Sequence, residues 1–554
     1  MGRSGSELLL EALEVEEVSL LFGYPGGVLI SLYDALLDSR VKHILVRHEQ
    51  GAVHAADAYS RVSGKVGVCL ATSGPGATNL VTGIANAYMD SVPMVILTGQ
   101  VPTDLLGTDS FQEVDITGVT MPITKHSYLV KDGRDIPRVV KEAFYIARTG
   151  RPGPVLIDLP KDVLAQVVEP KPAVLNLKSY KFFNKGNAGQ IEEAARAIRG
   201  SKKPVLYAGG GVIKAEAEQI LQEIVEKANL PVVTTLMGIG SLPSDHPNLL
   251  GMVGMHGTVA ANYAVDDCDL LIAVGVRFDD RVTSGLQHQF ATNAKVIHID
   301  IDPAEIGKVI RPQIPIVGNA KSVLGDLLLK VSPPQADEWW KKLREWQKKY
   351  PLSYLKDGRL RAQMVIETLG ELTNENTIIV TDVGQHQMWT AQFYPFCQSR
   401  QLVTSGGLGT MGFGLPAAIG AQFAYPDRQV LLISGDGSLQ MTVQEMATIV
   451  QHKLPIKIAL MNNGVLGMVR QMQKLFLDER YSQIQLHANP DFVKLAEAYS
   501  IKGIGIKSCD EVENAVRTAL ADPGPVLMDF QVSADEDVLP MVPAGKAITE
   551  MLGR

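Results

Sequence analysis

Cysteine is scarce in this chain: Cys69, Cys268, Cys397 and Cys509 are the only four among 554 residues. None stands in C-x-x-C spacing, which argues against a thiolate zinc site, a redox pair or a disulfide framework. Scattered thiols of this kind fit a cytoplasmic protein. An excess of one charge is also missing. The formal net charge of −8 at pH 7 leaves no basic footprint for nucleic acid and no polybasic patch for a membrane. No apolar run reads cleanly as a membrane span. The nearest, Gly406 to Tyr425, is broken by six glycines and a proline, and it fits a Gly-rich ligand loop entering a buried helix. The N-terminal MGRSGSELLLEALEVEEV places acids where a signal peptide needs an apolar core, so export is not expected. What remains is ordinary globular material, 46% hydrophobic and 20% charged, long enough for three or four domains.

Strand and helix patterns alternate throughout, which predicts an α/β protein of doubly wound parallel sheets. Composition divides it into three units, at 1–165, 188–332 and 360–554. A Pro- and Lys-rich stretch, VVEPKPAVLNLKSYKFFNKGNAGQ, separates the first two. The charged, Trp-bearing segment 333–359 precedes the third and reads as a surface helix and connector. The tail DVLPMVPAGKAITEMLGR is open between an ordered flap and a frayed end. One phrase recurs: Gly153-Pro154-Val155-Leu156-Ile157-Asp158 is matched by Gly524-Pro525-Val526-Leu527-Met528-Asp529. Each copy follows an amphipathic helix, so the first and third units are expected to share a topology.

The most informative stretch is LLISGDGSLQMTVQEMATIVQHKLPIKIALMNN, from Leu431 to Asn463. It reads strand, Gly turn, helix, strand. A parallel β-α-β unit brings both strand ends to one sheet edge, where open α/β sheets bind ligands. Asp436 and Asn463 therefore meet there. An acidic oxygen, an amide oxygen and a Gly-opened backbone suit Mg2+, a hard cation that shares its shell with phosphates, and backbone N–H groups at a helix start suit a pyrophosphate. A lone Gly-Asp-Gly is an ordinary turn, but with two asparagines at this distance it is more specific. Glu49, in RHEQGAVHAADAYSR, follows an apolar strand and opens a small-residue helix. By itself it is equally a helix-start acid favoured by the dipole.

With Glu49, the GPGATN turn and GDG…NN in place, the chain resembles thiamine diphosphate (ThDP) enzymes along its length. YPGG, GTDSFQEVDI, ITKHSYLV, GMHGT, GVRFDDRVT, HIDIDPAEIGK, GQHQMW, LGTMGFGLPAAIGA and LPMVPAGKA narrow this to a resemblance to the catalytic subunit of acetohydroxyacid synthases. That resemblance implies two ThDP-binding domains around a central FAD-associated one. It implies that pyruvate is decarboxylated on ThDP and that the hydroxyethyl carbanion passes to a second 2-oxoacid, pyruvate or 2-ketobutyrate, in branched-chain amino acid biosynthesis. FAD is expected without net redox. A homodimer or homotetramer is expected, Glu49 of one chain serving ThDP held by the other, with a regulatory small subunit as a further partner.

The resemblance also assigns roles. Glu49 would share a proton with N1′ of the aminopyrimidine. Asp436, Asn463 and a carbonyl near Val465 would hold Mg2+, and Gln385, His386, Gly437, Ser438, Gly467 and Met468 would surround the diphosphate. Gly409, Thr410 and Met411 would bend ThDP, with Met411 between its rings. Along FAD it implies Arg151, Gly211, Thr235, Leu236, Gly254, Met255, His256, Gly275, Arg277, Asp279, Asp300, Gly406 and Gly407. Arg281 is the candidate for the second substrate's carboxylate, since a guanidinium fork matches it bidentately. Gln112 and Lys125 are expected near ThDP and the flavin respectively. The central unit lacks G-x-G-x-x-G after a strand, which weighs against an NAD dehydrogenase.

One position departs from the pattern. Met472, in GMVRQMQ, stands where the family usually has tryptophan, and Val28 and Ser110 stand where alanine is common. The tryptophan wall favours 2-ketobutyrate, so acceptor choice is open here. Rival readings are a pyruvate oxidase, a carboligase or C–C hydrolase for another oxoacid, or a non-catalytic cofactor-binding scaffold. The Glu49 role is directly testable. Glu49→Gln is expected to leave a folded protein that binds ThDP poorly and loses roughly 10²–10⁴-fold in turnover; near-normal activity would remove Glu49 from the mechanism.

Overall fold

Three six-stranded sheets carry the chain, and the computed structural model describes residues 2–553. The first holds β1 (Leu20–Gly23), β2 (Lys42–Leu45), β3 (Gly67–Ala71), β4 (Met94–Gln100), β5 (His126–Leu129) and β6 (Pro154–Pro160), in the order β2-β1-β3-β4-β6-β5. The second holds β7 (Pro204–Ala208), β8 (Val232–Thr234), β9 (Leu249–Met252), β10 (Leu270–Val274), β11 (Lys295–Asp300) and β12 (Ile314–Val317), in the order β9-β8-β7-β10-β11-β12. The third holds β13 (Ile378–Thr381), β14 (Leu402–Val403), β15 (Val430–Gly435), β16 (Lys457–Asn462), β17 (Lys502–Ile506) and β18 (Val526–Gln531), in the order β14-β13-β15-β16-β18-β17. Every pairing within these sheets is parallel. Helices cover both faces, which is why central strands such as MVILTGQ are buried at every residue.

Counted within each sheet, the first and third share one strand order, 2-1-3-4-6-5. The strands that follow the two Gly-Pro turns, β6 and β18, occupy the same fifth place. The repeated phrase thus marks a repeated topology. The central sheet runs 3-2-1-4-5-6, the order of dinucleotide-binding folds. Its strands β9 and β12, LLGM and IPIV, carry too few residues to stand out in the sequence.

The first and third units share a core. Helix Glu49–Ser63 lies on helix Gly414–Ala424, and Ala52, Ala55, Ala56, Ala417, Ala418 and Ala421 are all buried in one apolar cluster with residues of both sheets. Small side chains let the backbones approach closely: a Cβ at Gly420 would lie 1.9 Å from the Ala55 carbonyl oxygen. The segment Gly406 to Tyr425 is accordingly a loop entering a buried helix. Among the described residues no helix is long and apolar enough to cross a membrane, and all four cysteines are free thiols.

The charged helix Asp337–Lys349 is less superficial than its composition suggests. Trp339 is buried, and its indole N–H donates to the Pro204 carbonyl at 3.1 Å. The tail is ordered: Met541 and Leu552 form an antiparallel bridge, and Val542 N–H donates to the Met255 carbonyl at 2.8 Å. The helix contact yields a test. Gly420→Val drives a branched side chain into a backbone oxygen that cannot move aside, so thermal unfolding should show a loss of about 1–3 kcal/mol; an unchanged Tm would mean that the two helices separate without penalty.

Candidate active site

Three clusters of polar residues gather at the C-terminal edges of the three sheets. On the first sheet, Glu49 opens helix Glu49–Ser63 just beyond β2 and is buried, 9% exposed. Its Oε2 accepts from Asn79 Nδ2 at 3.0 Å. Its Oε1 lies 3.2 Å from where a Cβ on Gly76 would stand. Gly74, at φ +60°, packs against Gln112, and a Cβ there would meet the Gln112 carbonyl oxygen at 2.8 Å. The Gly-Pro-Gly turn after β3 thus holds Glu49 and Gln112 on its two sides. Val28, after the YPGG turn, sits against Gly99 at the end of β4.

On the third sheet, Asp436 follows β15 and Asn463 follows β16, and the fold brings them together. Asp436 Oδ2 accepts from Gly464 N–H at 2.9 Å and from Asn489 Nδ2 at 2.6 Å. Burial raises its carboxyl above the usual range. Asn463 Oδ1 accepts from Val465 N–H at 3.1 Å. Gly467 completes the cradle: a Cβ there would lie 2.0 Å from Gln385 Oε1 and 3.1 Å from Asn463 Nδ2. Gln385 Nε2 donates to Gln471 Oε1 at 3.1 Å and to the Glu536 carbonyl at 2.8 Å. The His386 ring lies against Gly435. Its Nε2 is buried without a partner, and burial lowers its pKa to about 3. The unpartnered Nε2, beside Gly435 at the end of β15, is a buried polar atom left over for a ligand. Ser438 Oγ donates to the Val383 carbonyl, and Met411 Cε comes within 3.8 Å of the Cβ position of Gly437.

The loop from Ser405 to Gly414 is pinned from two directions. Asp382 accepts from Gly412 N–H at 2.9 Å and Gly414 N–H at 3.0 Å, and burial raises its pKa to about 6. From the first unit, Asp90 accepts from Gly406 N–H at 3.0 Å and Gly407 N–H at 2.7 Å. Thr410 Oγ1 donates to Asn86 Oδ1 at 3.3 Å. Asp90 is itself held by Arg61, whose guanidinium also binds Asp57 and donates to the Thr404 carbonyl at 3.0 Å. Asp90 and Asp382 were not singled out in the sequence, because their partners are backbone amides far along the chain.

The third cluster surrounds a cavity of about 640 Å³ at the central sheet, between the ends of β7 and β10. This is where the strand order reverses, the usual crevice for a ligand. Gly211 and Gly275 touch across it: a Cβ on Gly275, at φ +61°, would lie 2.5 Å from Gly211 Cα. Arg151, Thr235, Leu236, Met255, His256, Arg277, Asp279 and Asp300 line the walls, and Arg281, Gly406, Gly409, Met468 and Met472 extend them towards the third unit. Gly254 lies beside the wall, its N–H donating to Asn262 Oδ1. Thr235 Oγ1 and His256 Nε2 are buried without partners. Arg151 reaches Glu305 Oε1 at 2.6 Å and Arg277 the Met89 carbonyl at 2.6 Å. Burial pushes Asp300 up to about 6. Seven of the eighteen methionines face this cavity.

Lys125 packs against Gly153, beside the cavity-lining Arg151. Its ammonium donates to the carbonyls of Ile146 and Thr149, at the C-terminal turn of helix Ile136–Arg148, and to Tyr180 Oη. Burial brings its pKa down to about 8. Glu49 and Gln112 belong to the edge of the first sheet, and Asp436, Asn463 and Met411 to that of the third.

Family models match all three units: a thiamine pyrophosphate enzyme N-terminal TPP-binding domain over residues 3–119, a central domain over 191–327 and a C-terminal TPP-binding domain over 382–530. The acetolactate synthase large subunit IlvB1 of Mycobacterium tuberculosis is 52% identical, over 99% of this chain and 91% of the relative. The large subunit of Haemophilus influenzae is 46% identical, over 99% and 98%. The chain belongs to the acetolactate synthase large-subunit family. A probable large subunit of Methanocaldococcus jannaschii, 50% identical over 99% and 95%, agrees. Family membership gives the third unit its ligand class, thiamine pyrophosphate, and Gly467 offers a test of where it sits. Gly467→Ala should weaken thiamine pyrophosphate by roughly tenfold to a hundredfold, the equivalent of the ~1–3 kcal/mol that overpacking costs; calorimetric binding within twofold of the parent would place the diphosphate elsewhere.

Proposed function

We propose that this chain is a cytoplasmic acetolactate synthase catalytic subunit. It decarboxylates pyruvate and joins the remaining two-carbon unit to a second 2-oxoacid. Pyruvate as acceptor gives 2-acetolactate, and 2-ketobutyrate gives 2-aceto-2-hydroxybutyrate. The observation that carries the reading is the convergence of Asp436, Asn463 and the Gly467 cradle beside an unpartnered His386 nitrogen, within a chain about half identical to named acetolactate synthases. Mg2+ fits Asp436, the Asn463 amide oxygen and the Val465 carbonyl: hard oxygen donors beside a diphosphate site. FAD fits the central cavity, whose volume, switch-point position and unpartnered Thr235 and His256 atoms suit a dinucleotide.

Thiamine diphosphate, when bound, supplies the electron sink that decarboxylation requires. The chain supplies position and proton control. Glu49 keeps Oε2 on Asn79, leaving Oε1 to share a proton with the aminopyrimidine N1′. Gly409 and Met411 would support the pyrimidine, held in place by Asp382 and Asp90. The Arg281 side chain is 68% exposed, with loose contacts to Asp280 at 3.8 Å and Met255 Sδ at 4.0 Å, so its guanidinium is available for the acceptor's carboxylate.

The chain is read as a homodimer or a higher homo-oligomer in which Glu49 of each chain completes the diphosphate site of its partner. Large apolar side chains lie exposed next to site residues in the chain, Phe111 before Gln112 and Leu408 before Gly409, with Met441 against Gly412, as an interface would require. The relatives' designation as large subunits supports a smaller regulatory companion.

Acceptor choice rests on Met472 and Met468, which face the cavity from one side of helix Gly467–Phe476. A flexible thioether wall discriminates weakly against one methylene, a difference limited to about 1–3 kcal/mol. With ThDP, Mg2+ and FAD present and both oxoacids at equal concentration, mixed products are expected, and Met472→Trp should shift the ratio towards 2-aceto-2-hydroxybutyrate. If neither acetohydroxyacid forms, the activity is wrong; anaerobic bleaching of the flavin by pyruvate would point to an oxidase.

A further inference from the structure

Asn489 lies outside every motif that marks the cofactor site, yet its side chain reaches into it. Its Nδ2 donates to Asp436 Oδ2 at 2.6 Å, the shortest of the contacts to that carboxylate with a stated distance. The amide is held in that orientation from behind: Gln440 Nε2 donates to Asn489 Oδ1 at 3.0 Å and to the Asp436 carbonyl at 3.0 Å. An amide whose oxygen is already engaged can present only its N–H to Asp436.

The segment that carries Asn489 also grips the turn carrying Val465. Leu466 N–H donates to the Ile484 carbonyl at 2.8 Å, Leu486 N–H donates to the Gly464 carbonyl at 2.9 Å, and Val465 bridges Gln485 antiparallel. Ile484 is buried and Leu486 lies against Gly437. Two of the three candidate cation donors, the Asp436 carboxylate and the Val465 carbonyl, are therefore braced by residues 484–489.

We propose that Asn489 is a positioning residue for the divalent cation: it fixes the torsion of Asp436 so that Oδ1 meets the metal, while its segment sets the Val465 carbonyl. This rests on the reading of Asp436 as a cation ligand. Outer partners that orient a ligating carboxylate typically contribute 10–100-fold to metal affinity.

The test uses the full-length protein and Mn2+ as the probe, free Mn2+ being read by electron paramagnetic resonance with and without saturating ThDP. Parent protein should bind Mn2+ in a ThDP-dependent way; if it does not, the cofactor reading fails, independently of Asn489. Asn489→Ala should raise the Mn2+ Kd by roughly tenfold or more and raise the Mg2+ concentration for half-maximal activity by the same factor, with kcat recovering at saturating Mg2+. Gln440→Leu, at an exposed position, should produce a smaller rise in the same direction. An Mn2+ Kd within twofold of the parent for Asn489→Ala overturns the proposal, as does a fall in kcat that Mg2+ cannot rescue. Reduced thermal stability with unchanged cation affinity would assign Asn489 a packing role and overturn it equally.

Discussion

A single buried arginine ties the two cofactor-binding units together. Arg61 projects from the helix that Glu49 opens, binds Asp57 and Asp90, and reaches across to the Thr404 carbonyl of the third unit. Asp90 then holds the amides of Gly406 and Gly407. The guanidinium also lies 5.5 Å from the Phe413 ring centroid. Leaving one partner of a buried ion pair uncompensated typically costs ~3–5 kcal/mol, so the network tolerates few arrangements other than the one seen. The loop from Ser405 to Gly414 is thereby fixed relative to the helix that carries Glu49. Position is transmitted by charge rather than by apolar packing alone, which suits a boundary where Gly420 and Ala55 leave no room for large side chains.

Much of the site was legible because its signals are local. Asp436 and Asn463 stand at the two ends of one β-α-β unit, and the rule that such ends share a sheet edge is enough to pair them. The repeated Gly-Pro-Val phrase gave the shared topology of β6 and β18 for a similar reason: each copy sits between a helix and a buried strand. Asp382, Asp90 and Asn489 were not legible. Each acts on a partner brought near only by the tertiary fold, and each is an ordinary polar residue in its own neighbourhood. Lys125 is a related case. Its motif says nothing of its partners: the ammonium is taken up by the Ile146 and Thr149 carbonyls and Tyr180 Oη, and only the structure reveals them.

The central sheet separates fold from chemistry. Its strand order is that of dinucleotide-binding proteins, yet β7 is followed by Gly209-Gly210-Gly211 in place of the usual Gly fingerprint. The glycines are still needed, for a different neighbour: Gly211 lies against Gly275 of the adjacent strand end. Topology creates the crevice, and the residues around it decide what enters.

The methionines around that crevice have a consequence of their own. Seven unbranched thioethers, each with several rotatable bonds and a polarisable sulfur, make a lining that takes its contour from its contents. Met468 and Met472 sit one helical turn apart on the same face and can refold around guests of different length without moving the backbone. The outline of the cavity around one guest is therefore a poor mould for designing another, and inhibitors that differ in bulk should each meet a differently shaped wall.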